Sequence, residues 1–106
     1  MIVVVGRVVT DARRREDLKR IGQALAQASR EEDGCLGYRL YEDTENKNEF
    51  VFVEEWESQE ALERHFATSH IAEFMRAVPD AVAGRPDVKF HTVERTVDLG
   101  ELMGRR

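Results

Sequence analysis

Two segments, residues 2–10 (IVVVGRVVT) and residues 49–57 (EFVFVEEWE), constrain this chain more than any other feature, because each is apolar on both sides of its backbone. In a strand successive side chains point to opposite faces. The first segment therefore sends Ile2, Val4 and Val8 one way and Val3, Val5 and Val9 the other; the second sets Phe50, Phe52 and Trp56 against Val51 and Val53. A third stretch, residues 35–43, sets Cys35 and Tyr41 against Leu36, Tyr38 and Leu40. A sheet with helices on one side and water on the other should alternate apolar with polar. This pattern does not.

Between the strands the period changes. Over residues 12–31, Leu18, Ile21, Leu25 and Ala28 recur at helical spacing with charged residues opposite them, Asp11 is placed to cap the start, and Gly34 follows the end. Residues 35–43 and 49–57 read as a hairpin joined by Thr44-Glu45-Asn46-Lys47-Asn48. Ser58 can cap a second helix running to about Phe66; the chain breaks near Thr68-Ser69, and Ile71, Phe74, Met75 and Val78 then resume helical spacing until Pro79 ends it soon after. Residues 87–96 supply a last strand, so that residues 1–97 form the domain and 98–106 a C-terminal tail. The order βαββαβ predicts an α+β, ferredoxin-like fold: a four-stranded antiparallel sheet with its helices on one face.

Four strands at about 4.8 Å span roughly 19 Å, a width that two packed helices of about 10 Å cover once. The other face stays bare. Leaving five or six aliphatic side chains in water would forgo on the order of 10 kcal/mol, comparable with the stability of a whole domain. A second copy of the same face is the simplest cover, and a homodimer through the sheet face is predicted. The competing explanation is that β-branched residues serve strand propensity alone.

At 106 residues and a formal charge of −5, with acidic and basic residues interspersed, the chain is one domain without the clustered Lys and Arg that attract nucleic acid or anionic lipid. Neither is an expected partner. Cys35 is the only cysteine, the apolar run at residues 2–5 is too short to span a bilayer, and a reducing cytoplasm is the expected location.

Chemistry could reside in residues 54–70, EEWESQEALERHFATSH. Trp56 is a core tryptophan or a flat wall for an aromatic ligand. Glu54 beside it is a solvated carboxylate or a buried acid, and Glu54 and Glu55 point to opposite faces, so they are no catalytic pair. His65 and His70 would stand about 140° apart on one continuous helix, a poor arrangement for sharing a metal; with His91 and Cys35 elsewhere, no metal is expected. His70 lies at a helix start, where the dipole favours a neutral ring able to accept a proton. Arg76, at the edge of the apolar stripe, forms a surface ion pair or, turned inward, holds a phenolate. No nucleotide, flavin or nucleophile motif is present, and Gly6 and Gly37 read as bulges or close-approach points.

The stretches EEDGCLGYRLYED (31–43), FVFVEEWES (50–58) and ALERHFATSHIAEF (61–74) resemble the antibiotic biosynthesis monooxygenase (ABM) family, most closely its quinol monooxygenase branch, over residues 2 to about 95. The resemblance implies a dimeric α+β barrel with a pocket between sheet and helices. It implies a cofactor-free oxidation of an electron-rich quinol or phenol by O₂, in which the protein deprotonates the substrate and the anion reduces O₂. By position, Trp56 and Arg76 match substrate-facing residues of a polyketide-oxidising member, whose pocket asparagine, histidine and tyrosine fall here on Phe52, Tyr41 and Leu62. His65 and His70 resemble the quinol branch instead. That assigns His70 as proton acceptor, His65 as its support and Trp56 as stacking wall, with Arg76, Tyr41, Phe52, Leu62 and Glu54 as substrate contacts. Haem-degrading relatives carry an iron-binding histidine and a tryptophan where this chain has Met75 and His65, which disfavours that reaction. An isomerase of phosphorylated autoinducer-2 also resembles the fold but would need more basic residues than Arg76 and Arg39. A dimeric ligand-binding protein without turnover is the third reading.

Overall fold

The computed structural model describes residues 1–104. β1 (Ile2–Val9) is followed by a single 3₁₀ turn, Ala12–Arg14, and by α1 (Arg15–Arg30). The Asp11 side chain caps the turn by accepting the Arg13 amide. Leu18 and Leu25 bury the apolar stripe of α1 against the sheet.

After α1 the chain must reverse within a few residues, and Gly34 makes that possible. It sits at φ +85°, and a Cβ there would lie 2.5 Å from that of Ala61, so both the conformation and the space require glycine. β2 (Cys35–Glu42) and β3 (Glu49–Trp56) form the hairpin. Its turn is held by the Asp43 carboxylate, which accepts the Glu45 and Asn46 amides.

The sheet order is β2-β3-β1-β4, fully antiparallel, with β4 (Asp87–Thr92) beside β1. This is the ferredoxin-like α+β arrangement that the element order predicts. The first and last strands are shorter than expected: Thr10 leaves β1 to bridge Val82, and β4 ends at Thr92. A bulge between Cys35 and Gly37 shifts the start of β2, so Cys35 pairs with Trp56 and joins the core side, with Tyr38 and Leu40. The expected split of Cys35 from Tyr38 and Leu40 is thereby reversed, and Leu36 is left 57% exposed.

Ser58 caps α2 (Gln59–Phe66) by accepting the Ala61 amide. Thr68 makes the break. Its hydroxyl donates to the His65 carbonyl and accepts the Ile71 amide, closing α2 and opening α3 (Ser69–Ala81). Pro79 stands two residues before the end of α3 at Ala81, as expected. It lies in the last turn, where the bond its missing N–H forfeits costs little, and the Val82 amide still reaches the Val78 carbonyl.

Residues 99–102 of the tail form one helical turn, α4 (Leu99–Leu102), capped by Asp98; residues 105 and 106 lie outside the described residues. Among the described residues no helix is long and apolar enough to cross a membrane. The helices α1, α2 and α3 lie on one side of the sheet. On the other, Val3, Val5, Val51 and Val53 are only half-buried, and Tyr41 stands opposite Val51.

Candidate functional site

The helix-side face of the sheet is not filled. At its centre Gly6 lies between Phe52 and Val88 on neighbouring strands and contributes no side chain, and above it the apolar residues of α3 stand clear of the strand. The result is a cavity of about 230 Å³. Its floor is Val4, Gly6, Val8 and Phe52; Ile71, Phe74, Met75 and Val78 of α3 roof it, and Val88 and Phe90 of the edge strand close one side. A cavity of about 150 Å³ holds benzene, so this one has room for one ring with substituents or two fused rings.

The polar groups of the cavity are gathered in one place. Tyr38 and Glu54 occupy one row of the sheet, paired across β2 and β3, and His65 of α2 packs beside them. The His65 ring lies 4.7 Å from Trp56 and 5.5 Å from Tyr38, centroid to centroid. Glu54 is buried, and its Oε1 accepts the Trp56 indole N–H at 2.9 Å. Burial pushes the Glu54 carboxyl above the usual range, and the Trp56 hydrogen bond only partly opposes it. Burial, aided by the neighbouring Glu54 charge, pushes the Tyr38 phenol up as well, so Tyr38 keeps its proton and is no base.

Behind His65 stands a residue the sequence did not single out. Glu32, in the turn after α1, places one carboxylate oxygen, Oε2, 2.8 Å from His65 Nδ1 and 2.5 Å from His70 Nε2. All three groups are satisfied when each ring donates an N–H to that oxygen. The consequence for His65 is specific. With Nδ1 carrying the hydrogen, Nε2 keeps its lone pair, on a ring that is 1% exposed and lines the cavity. His70 does not line the cavity; it sits on the outer side with Arg20 and Glu73, a quarter of its side chain in solvent.

Glu32, His65 and His70 are also a set of potential metal ligands, their ligand atoms all within 4.8 Å of one another. The break at Thr68 brings the two histidines together, which a continuous helix would not. Ligand atoms around one zinc ion, at about 2.0 to 2.1 Å from it, stand roughly 3.3 Å apart in a tetrahedron. The nitrogen-to-oxygen separations of 2.8 and 2.5 Å are shorter and match hydrogen bonds.

Of the residues expected at a site, His65, Glu54 and Phe52 line the cavity, and Trp56 lies directly beneath this end, holding Glu54. Leu62 is buried but faces a separate groove with Ile2 and Thr92. Arg76 is exposed on α3 and does not line the cavity. Tyr41 is 54% exposed on the opposite face of the sheet, because it lies an odd number of residues from Tyr38. Glu32 and Tyr38 are the additions. Glu32 could have been suspected from the run Glu31-Glu32-Asp33, since carboxylates at a helix C-terminus oppose the dipole and call for another reason to be there.

A ferredoxin-like α+β sheet roofed by helices forms an apolar cavity with a carboxylate-held histidine at one end, a geometry suited to holding a small molecule. The family model described as antibiotic biosynthesis monooxygenase matches residues 1–77, and the chain belongs to that family. It is 34% identical over 98 residues to the uncharacterized protein sll1783 of Synechocystis sp., covering 92% of this chain and 67% of that one. It is 31% identical over 88 residues to a Bacillus subtilis protein named "Putative monooxygenase YcnE", covering 83% of this chain and 93% of that one. The structure of Rv0793 from Mycobacterium tuberculosis superimposes with a TM-score of 0.86 at 25% identity, covering 92% of this chain and 98% of the other.

Proposed function

We propose that this chain is a monooxygenase that oxidises a small electron-rich aromatic, a phenol or quinol, with O₂, and that His65 rather than His70 takes the substrate proton. One observation carries the reading: the cavity-lining ring of His65 has its Nδ1 on the Glu32 carboxylate, which leaves Nε2 as the nitrogen able to accept a substrate proton. His70 becomes a second donor to Glu32, fixing the carboxylate in place.

The reaction balances without an added reductant. His65 Nε2 removes the hydroxyl proton, and the phenolate transfers one electron to O₂. Recombination forms a carbon–oxygen bond at the ring, and cleavage of the O–O bond leaves one oxygen on the ring and the other in water. A quinol thus gives a hydroxyquinone, the four electrons coming from the substrate. The apolar walls favour this course by placing little polar surface around the anion and the radical pair.

Two observations weigh against the other readings. Among the described residues the cavity lining includes no Lys or Arg, so a phosphorylated sugar would find no counter-ion among them. A purely ligand-binding protein would have no use for a carboxylate-backed base. Oxygen consumption with a reduced naphthoquinol tests the proposal: uptake above the enzyme-free rate, with one labelled oxygen from ¹⁸O₂ in the product, is the expected result. Binding of quinols without any uptake would leave only the ligand-binding reading.

We infer that a second copy covers the half-buried Val3, Val5, Val51 and Val53. Light scattering at micromolar concentration should give twice the chain mass, and Val53→Lys, which puts a charge in the middle of that face, should shift it toward one. A parent protein that is monomeric and folded would contradict the inference.

A further inference from the structure

We propose that Glu32, His65 and His70 bind one transition-metal dication of the zinc type, and that its binding shuts off the base. The binding stands on the cluster itself; the shut-off rests on the reading of His65 as proton acceptor.

Among the described residues, these three are the one group of His, Cys, Asp and Glu side chains whose ligand atoms converge in this way, all within 4.8 Å of one another. Two imidazoles and a carboxylate are a donor set that zinc accepts, with a fourth position left for water. The expectation of no metal assumed one continuous helix. The break at Thr68 instead brings the two rings to 6.0 Å, centroid to centroid, on either side of one carboxylate.

In the hydrogen-bonded state two ring hydrogens hold the place of the ion. Zinc ligands stand roughly 3.3 Å apart, so the contacts of 2.8 and 2.5 Å must open by about 0.5 and 0.8 Å. His65 is wedged against Trp56 and Tyr38 and stays. The other two can give, because Glu32 lies in the turn after α1 and His70 has a quarter of its side chain in solvent. The ion enters on the His70 side, where Arg20 and Glu73 flank the groove with opposite charges. The end of α1 favours a cation and the start of α3 opposes it, so the affinity comes from the ligands themselves. Magnesium and calcium, which take oxygen ligands, do not suit two imidazoles.

A nitrogen that binds the ion uses its lone pair. On His65 that nitrogen is Nδ1, so its hydrogen moves to Nε2; on His70 the hydrogen moves from Nε2 to Nδ1. No proton is gained or lost overall and no electron is transferred. His65 Nε2 has then changed from acceptor to donor, and it can no longer take a proton from a substrate.

Calorimetry with zinc chloride, without substrate, should give one ion per chain. His70→Gln and Glu32→Gln each remove a ligand and should weaken binding by more than the roughly 10- to 100-fold that losing an outer-shell partner costs. His91→Gln and Cys35→Ser, which remove the remaining histidine and the only cysteine, should bind zinc as the parent does, and magnesium should not bind. If Glu32→Gln does not fold, His70→Gln decides. Nitrogen-15 spectra should place the His65 hydrogen on Nδ1 without zinc and on Nε2 with it. Quinol-dependent oxygen uptake should fall to the enzyme-free rate at saturating zinc and return with EDTA, and the uptake that His70→Gln retains should not respond to the same zinc concentration. No binding, or binding that survives His70→Gln and so reflects an adventitious ion only, would refute the site. Bound zinc with undiminished uptake would keep the site and remove His65 from the role of base; a metal-free protein without uptake would overturn the oxidation and leave the calorimetry to decide the site.

Discussion

His65→Gln is expected to lower quinol-dependent oxygen uptake by about 10²- to 10⁴-fold, the usual worth of a positioned general base, with substrate affinity changed far less. Glu32→Gln should fall by a comparable factor. An amide presents a donor as well as an acceptor, so it no longer fixes the tautomer that leaves His65 Nε2 free. His70→Gln should cost about tenfold or less, because it removes only a support on the solvent side of Glu32. Circular dichroism and thermal melting establish that each variant is folded. The ranking is what matters: a dead His70→Gln beside an active His65→Gln would return the role of base to His70.

Trp56→Ala carries the largest expected effect on stability. The indole is fully buried, holds Glu54 and packs against both Tyr38 and His65, so truncation should cost about 3 to 5 kcal/mol by urea denaturation. That is a large part of the roughly 5 to 15 kcal/mol available to a domain. Trp56→Phe keeps most of the ring and removes the N–H, leaving the buried Glu54 without that donor, and should cost about 1 to 3 kcal/mol. The pH dependence has a defined sign. The folded state holds the Glu54 proton more tightly than the unfolded chain does, so its contribution is fully present below the usual carboxylate range and is lost as pH rises to the elevated folded value. The Trp56 hydrogen bond pulls that value down. Removing it in Trp56→Phe should extend the loss to higher pH, and Glu54→Gln should abolish that component altogether.

Much of the fold was legible because the apolar period is a local property. Two-fold alternation in the strands, three-to-four spacing in the helices and the cap at Ser58 act within a few residues and appear where the pattern placed them, while Asp11 caps the 3₁₀ turn that leads into α1 rather than α1 itself. What escaped depended on contacts between distant segments. The bulge at Cys35 is set by how β2 meets β3 and is signalled only by a glycine that has several uses. The candidate site was half-legible: Trp56, His65 and His70 stand out as residue types, but which histidine lines the cavity depends on the angle at Thr68, and Glu32 comes from a turn 33 residues before His65. Tyr41 and Arg76 were proposed by positional match to relatives. Side-chain direction, which such a match does not carry, puts neither in the cavity wall.

The Thr68 hydroxyl, bonded to both helices at once, divides labour within the chamber. The proposed base, His65, lies upstream of it, while His70, downstream, reaches back to the same Glu32 carboxylate. The ceiling downstream, Ile71, Phe74 and Met75, touches none of that machinery by hydrogen bond. Under the proposed function, exchanging those three side chains is expected to resize the cavity while leaving the hydrogen bonds of His65 in place.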